Sequence, residues 1–146
     1  MRLMFSLIAV LSAALFAGAS LFINVAEHPA RLLLDTRSAA TQWAASYKRA
    51  TWMQAPLALV SLATGIAVWL MGGGVGWVAA AALIGAVVPF TFLGIMPTNN
   101  ALLAPGRDLD SAETRALLER WGQLHAVRTA LSLAGTMFYF CLLFGA

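Results

Sequence analysis

LMFSLIAVLSAALFAGASLFI, residues 3–23, runs for 21 positions without a charged side chain. At about 1.5 Å per residue such a helix reaches roughly 30 Å, the thickness of a bilayer's hydrocarbon core. Three more apolar runs follow, at about 53–71, 77–96 and 124–145. The glycines Gly72, Gly73, Gly74 and Gly76 break the second from the third. A chain of 146 residues is too short to bury four such runs in water. The reading is all-α: one integral membrane four-helix bundle over residues 1–146, with spans two and four extended beyond the bilayer.

Composition agrees. Hydrophobic residues make up 61% of the chain and charged residues 10%, against roughly 25% charged in soluble domains. Nine basic residues against six acidic, with no basic run, exclude a nucleic-acid partner. The lone Cys141 precludes an intrachain disulfide and reads as a packing residue. Arg2 and Ala17-Gly18-Ala19 give the first run a competing reading as a signal peptide. Its apolar stretch is long for that, and a retained span is the expectation.

All six acidic residues and every basic residue except Arg2 fall after span one or after span three. Four spans put those two segments on the same side. The excess of Lys and Arg there predicts cytoplasmic loops, both termini outside, and a multi-pass protein of the plasma (inner) membrane. The loops also look helical. Trp43, Tyr47, Ala50 and Gln54 share one helical face, and Asp110 with Glu113 can cap a helix that enters span four. Pro56 is the expected kink.

Polar residues gather at that end of the spans: Asn24, Glu27 and His28; Gln54; Asn99 and Asn100; Trp121, His125 and Arg128. The last three are spaced four and three, one stripe of one helix. Polar side chains at this depth face the bundle interior, so the pattern predicts a polar pocket at one mouth, walled by Trp43, Tyr47, Trp52 and Trp121. Plainer readings compete. Trp52 and Trp77 suit an interfacial belt, Arg128 can snorkel to headgroups, and Glu27 with Arg128 can form a structural ion pair. Glu27, His28 and His125 are the available ligands for a metal, and the two histidines for a haem. No spacing motif supports either, so no cofactor is expected. Ala9-Ala13-Ala17, Ser61-Gly65 and Ala81-Gly85 are small-residue pairs that let helices approach closely.

With those residues in view, the chain resembles the anthrone oxygenase-like family, small four-helix membrane proteins once catalogued as a domain of unknown function. The resemblance rests on Gly18 and Asn24, on Tyr47-Lys48-Arg49 leading to Met53-Gln54, on Pro97-Thr98-Asn99, and on Trp121-Gly122-Gln123-Leu124-His125-Ala126-Val127-Arg128. It covers nearly the whole chain. It implies an oxygenase acting on a lipophilic aromatic, anthrone-like or quinol-like, since fungal members oxidise anthrones to anthraquinones in polyketide pathways.

A cofactor-free reaction then follows. In such an oxygenase His125 or Glu27 is expected to be the base, Arg128 and Asn99 to stabilise the enolate, and Tyr47 and Trp121 to stack on the substrate beside Asn24, Gln54 and Asn100. Two alternatives stand beside it. One is a non-catalytic ligand binder or assembly factor whose polar cluster only locks the bundle; the other is a metal- or haem-dependent redox protein. The sequence leaves monomer and oligomer both open for all three. An enclosed cavity favours the enzyme, whereas polar groups paired off without a void favour the structural reading.

Overall fold

The computed structural model describes residues 1–145. Four helices dominate: α1 (Arg2–Arg31), α2 (Thr36–Gly73), α3 (Val75–Leu102) and α4 (Ala112–Phe144). Each is long and apolar enough to cross a membrane, and the described residues contain no strand. The regular parts of α2 and α4 reach 33 residues each, roughly 50 Å, so both outrun a hydrocarbon core as expected.

Helix starts follow local chemistry. Asp35 caps α2 by accepting from the Ser38 amide at 2.9 Å, a bond that holds its carboxyl below the usual carboxylate range. Ser111, not Asp110, caps α4, accepting from the Thr114 amide at 3.2 Å. Asp110 is instead engaged by Arg37 of α2. Between α2 and α3 the chain reverses at Gly72 and Gly74, whose φ angles of 82° and 88° suit glycine. The helix continues through Pro56. Helix α1 runs through His28-Pro29 and ends at Arg31.

Helix α1 packs on α2 and α4, and the first part of α3 packs on the same two. Beyond Gly85, α3 rests mainly on α4 and leaves α2. That departure coincides with a break at Ala86, with Pro89, and with a wide π-helical turn over Thr91–Ile95. The small residues do bring helices close. Ser61 donates to the Ala9 carbonyl across α1 and α2 at 3.0 Å, and a Cβ on Gly65 would fall 1.9 Å from the Tyr139 hydroxyl. Trp77 lies in this core, 5% exposed, its ring 5.4 Å from that of Tyr139. The belt position expected for it is therefore corrected. Trp52, 78% exposed, keeps a surface position.

The ends of the bundle differ. At one, Arg37 meets Asp110, and Arg115 donates to the Leu32 and Leu34 carbonyls, so both polar connections lie together. At the other, Arg2 reaches the Gly72 carbonyl.

Candidate active site

A cavity of about 140 Å³ lies at the depth where the apolar spans meet the charged end. A void on the order of 150 Å³ holds one benzene ring. This one is not sealed. Its exposed lining residues, Thr51, Ala55 and Phe92, all belong to α2 and α3. The mouth therefore faces sideways, through the gap that α3 leaves beyond Gly85. The floor is buried: Phe16 from α1, Asn99 from α3, and Trp121 and His125 from α4.

The α4 stripe forms as its spacing demands. Trp121 and His125 are one helical turn apart, their rings stacked at 4.8 Å, and Arg128 follows on the same side. Arg128 does not snorkel. Its guanidinium lies 4.9 Å from the Phe16 ring centre and donates to Gln54 Oε1 at 2.7 Å. Among the described residues no carboxylate comes within ion-pair distance of it, and its Nε is buried without a partner. The amide of Asn99 is fully buried with both Nδ2 and Oδ1 unpartnered. A charge and an amide left so inside a protein cost free energy that only a ligand or water can return.

Asn24 and the two histidines are fixed differently. A π-helical turn over Ile23–Glu27 carries Asn24 toward α4. Its Nδ2 donates to the Gly122 carbonyl at 3.2 Å, and its Oδ1 lies 2.7 Å from His125 Nδ1 and 2.5 Å from Thr129 Oγ1. Asn24 thus contacts His125 rather than lining the cavity, in place of the direct substrate contact expected of it. His28 is buried 5.1 Å from the Trp121 ring, with Nε2 3.0 Å from the Leu118 carbonyl. A Cβ on Gly122 would meet the His28 ring at 2.6 Å, so this approach requires glycine.

Glu27 stands apart from the cavity. It pairs with Arg31 at 2.6 Å and accepts from Ser46, and Arg31 in turn reaches Gln42 and His28. The Glu27–Arg128 ion pair is thus replaced by Glu27–Arg31. Asn100 is exposed and off the lining. Tyr47 and Trp121 line the cavity as expected; Trp43 stacks on Tyr47 at 5.2 Å, one layer back; Trp52 points away. Glu27, His28 and His125 are not gathered as a ligand set, and no group of three metal-binding side chains is assembled among the described residues. Sequence reasoning missed Phe16, Phe92 and Arg31. Arg31 lies four residues after Glu27, a spacing that signals an ion pair, whereas nothing marks Phe16 or Phe92 among their apolar neighbours.

A second, smaller cavity of about 20 Å³ lies between Arg31 and Ser46 on one side and His125 and Arg128 on the other. It is wide enough for one water.

A family model described as anthrone oxygenase matches residues 43–138, which hold the α4 stripe, Asn99 and Tyr47. An anthrone oxygenase of Pestalotiopsis fici is 33% identical over 127 residues, 73% of this chain and 88% of that protein. Anthrone oxygenase tpcL of Aspergillus fumigatus is 44% identical over 69 residues, and an anthrone oxygenase of Claviceps purpurea 37% over 75. Those two alignments cover 45% and 46% of this chain and 43% of each relative, so the chain spans less than half the length of these two. No solved structure matches. With a family model over most of its length and a relative aligned across nearly three quarters of it, the chain belongs to the anthrone oxygenase family.

Proposed function

We propose that this protein is a membrane-embedded, cofactor-independent oxygenase that converts a lipophilic anthrone-type substrate to the corresponding quinone. One observation carries the reading. A guanidinium without a carboxylate and an amide without partners face the same apolar cavity as a histidine. That set suits a flat neutral molecule that becomes an anion during the reaction.

An anthrone carries a CH₂ opposite its carbonyl, between two aromatic rings. His125 takes one proton from that carbon, and the charge spreads onto the carbonyl oxygen. Arg128 and Asn99 stabilise this oxygen in a site from which water is largely excluded. The electron-rich carbon reduces O₂ and bonds to it, and the imidazolium returns its proton to give a hydroperoxide. Loss of the second C–H proton with hydroxide leaves the quinone carbonyl and one water. The balance is anthrone plus O₂ to quinone plus water, and no external reductant is needed. Tyr47 and Trp121 stack on the ring held inside the cavity, and the rest of the tricycle extends into the mouth between α2 and α3, which admits the substrate from the hydrocarbon core. Glu27, engaged by Arg31, is left out of the chemistry in this scheme.

The family membership of the chain and the existence of a void, rather than polar groups wholly paired off, support this over a purely structural cluster. The test is oxidation of 1,8-dihydroxyanthrone by the purified protein in lipid nanodiscs, followed as quinone formation and O₂ uptake. Wild type is expected to accelerate it. His125→Gln should lose about 10²- to 10⁴-fold in kcat, the usual contribution of a positioned base. Equal rates for the two proteins would overturn the scheme.

A further inference from the structure

An imidazole has two nitrogens, and a neutral ring can act as a base only through the one without the proton. Which nitrogen of His125 is bare is decided two contacts away, by the backbone carbonyl of Gly122. That carbonyl can only accept, so the Asn24 amide must point its Nδ2 at it, as it does at 3.2 Å. Turned round, the amide would set its own oxygen against the Gly122 oxygen. With Nδ2 so placed, Oδ1 faces His125 Nδ1 at 2.7 Å. An amide oxygen can only accept, so Nδ1 carries the proton and Nε2 keeps the lone pair. The Thr129 hydroxyl, which also reaches Oδ1, can donate or accept and carries no such information. Nε2 of His125 has no hydrogen-bond partner among the described residues, and the ring lines both the larger cavity and the water-sized one beside it.

The other histidine is held the opposite way. His28 Nε2 faces the Leu118 carbonyl at 3.0 Å and must donate, and its Nδ1 accepts from Arg31 Nη1 at 3.0 Å. Both of its nitrogens are occupied, which leaves it no lone pair for a substrate.

We propose that Asn24 is the positioning residue of the base: it transmits the polarity of the Gly122 carbonyl to His125, holding the ring as the Nδ1–H tautomer with the Nε2 lone pair free. The role of His125 as the base rests on the reading above; the tautomer does not. An amide suits this position because it orients the ring without adding charge. A carboxylate would place a negative charge near the cavity whose one cation, Arg128, is left for the substrate anion.

The experiment is nitrogen NMR of ¹⁵N-histidine-labelled protein in nanodiscs, where protonated and bare ring nitrogens resonate far apart. His28→Gln and His125→Gln assign the signals. Wild type is expected to show one ring of each tautomer, with His125 protonated on Nδ1. Asn24→Leu, close in shape but without an acceptor, should move the His125 proton to Nε2. Asn24→Asp loses the bond to the Gly122 carbonyl but offers Nδ1 only acceptors, so it too should retain Nδ1–H. With 1,8-dihydroxyanthrone, Asn24→Leu should lower kcat about 10²-fold or more with KM little changed, and Asn24→Asp should restore part of it. A wild-type His125 protonated on Nε2, or an Nδ1–H that persists in Asn24→Leu, overturns the proposal even if anthrone is oxidised. Failure of wild type to oxidise anthrone, with the tautomers as stated, overturns the catalytic reading and leaves the orientation by Asn24 standing.

Discussion

Asn99 shows what the site costs the fold. Its side chain is fully buried and neither amide atom has a partner, a state that costs about 1–3 kcal/mol per unsatisfied group. Leucine has nearly the same shape and no polar atoms. Asn99→Leu is therefore expected to raise the thermal unfolding midpoint in nanodiscs while lowering quinone formation about 10²- to 10³-fold, the loss seen when one oxyanion donor is removed. A lower midpoint would mean that the amide serves packing, and its assignment as a donor to substrate would fall. Residues of this kind were legible in the sequence because polar groups at membrane depth are few, and the spacing of Trp121, His125 and Arg128 puts them on one face. Their partners were not. Spacing says that Glu27 and His28 lie near the same level as Arg128, but not that Arg31 captures both and leaves Arg128 without a carboxylate. That choice depends on how far α1 is rotated at its π-helical turn.

Those wide turns are the element-scale feature that apolar periodicity hides. One carries Asn24 toward α4, and another, over Thr91–Ile95, lies where α3 parts from α2. A π-helical turn adds a residue without breaking the apolar run, so nothing in hydropathy betrays it. Helix existence and length were readable, since a span must satisfy its own backbone in lipid; the rotation of each helix about its axis was not. Trp77 illustrates this, set against Tyr139 in the core rather than in an interfacial belt. The gap beside α3 makes a prediction about access. Ala55 is exposed and lines the cavity, so an indole there would narrow the mouth without touching the buried floor. Ala55→Trp should raise KM for 1,8-dihydroxyanthrone about tenfold or more, the size of effect that a few methylenes have on fit, with kcat at saturation within about twofold. Unchanged KM would place the entrance elsewhere, for instance toward the charged end past Arg31 and Ser46.

For the whole molecule, the two ends make opposite demands. One ion pair and the Arg115 backbone bonds tie both polar connections together at one end, and the tight glycine turn meets Arg2 at the other. In the proposed scheme the chemistry sits just inside the charged end, where the small polar cavity takes the product water while the side mouth serves the lipophilic reactant. By the positive-inside rule, the surplus of Lys and Arg around that end predicts that it faces the cytoplasm. The two ends offer well-placed reporters, since Leu33 is 88% exposed and Val75 is 76% exposed. In a Cys141→Ser background, a membrane-impermeant maleimide applied to intact cells should label Val75→Cys, and should label Leu33→Cys only after lysis. The reverse pattern would invert the protein, and labelling of both in intact cells would mean that the two ends are not on opposite sides, which four spans require. In the proposed scheme the orientation fixes which compartment exchanges water and protons with His125 and Arg128, while the substrate arrives from the lipid on either account.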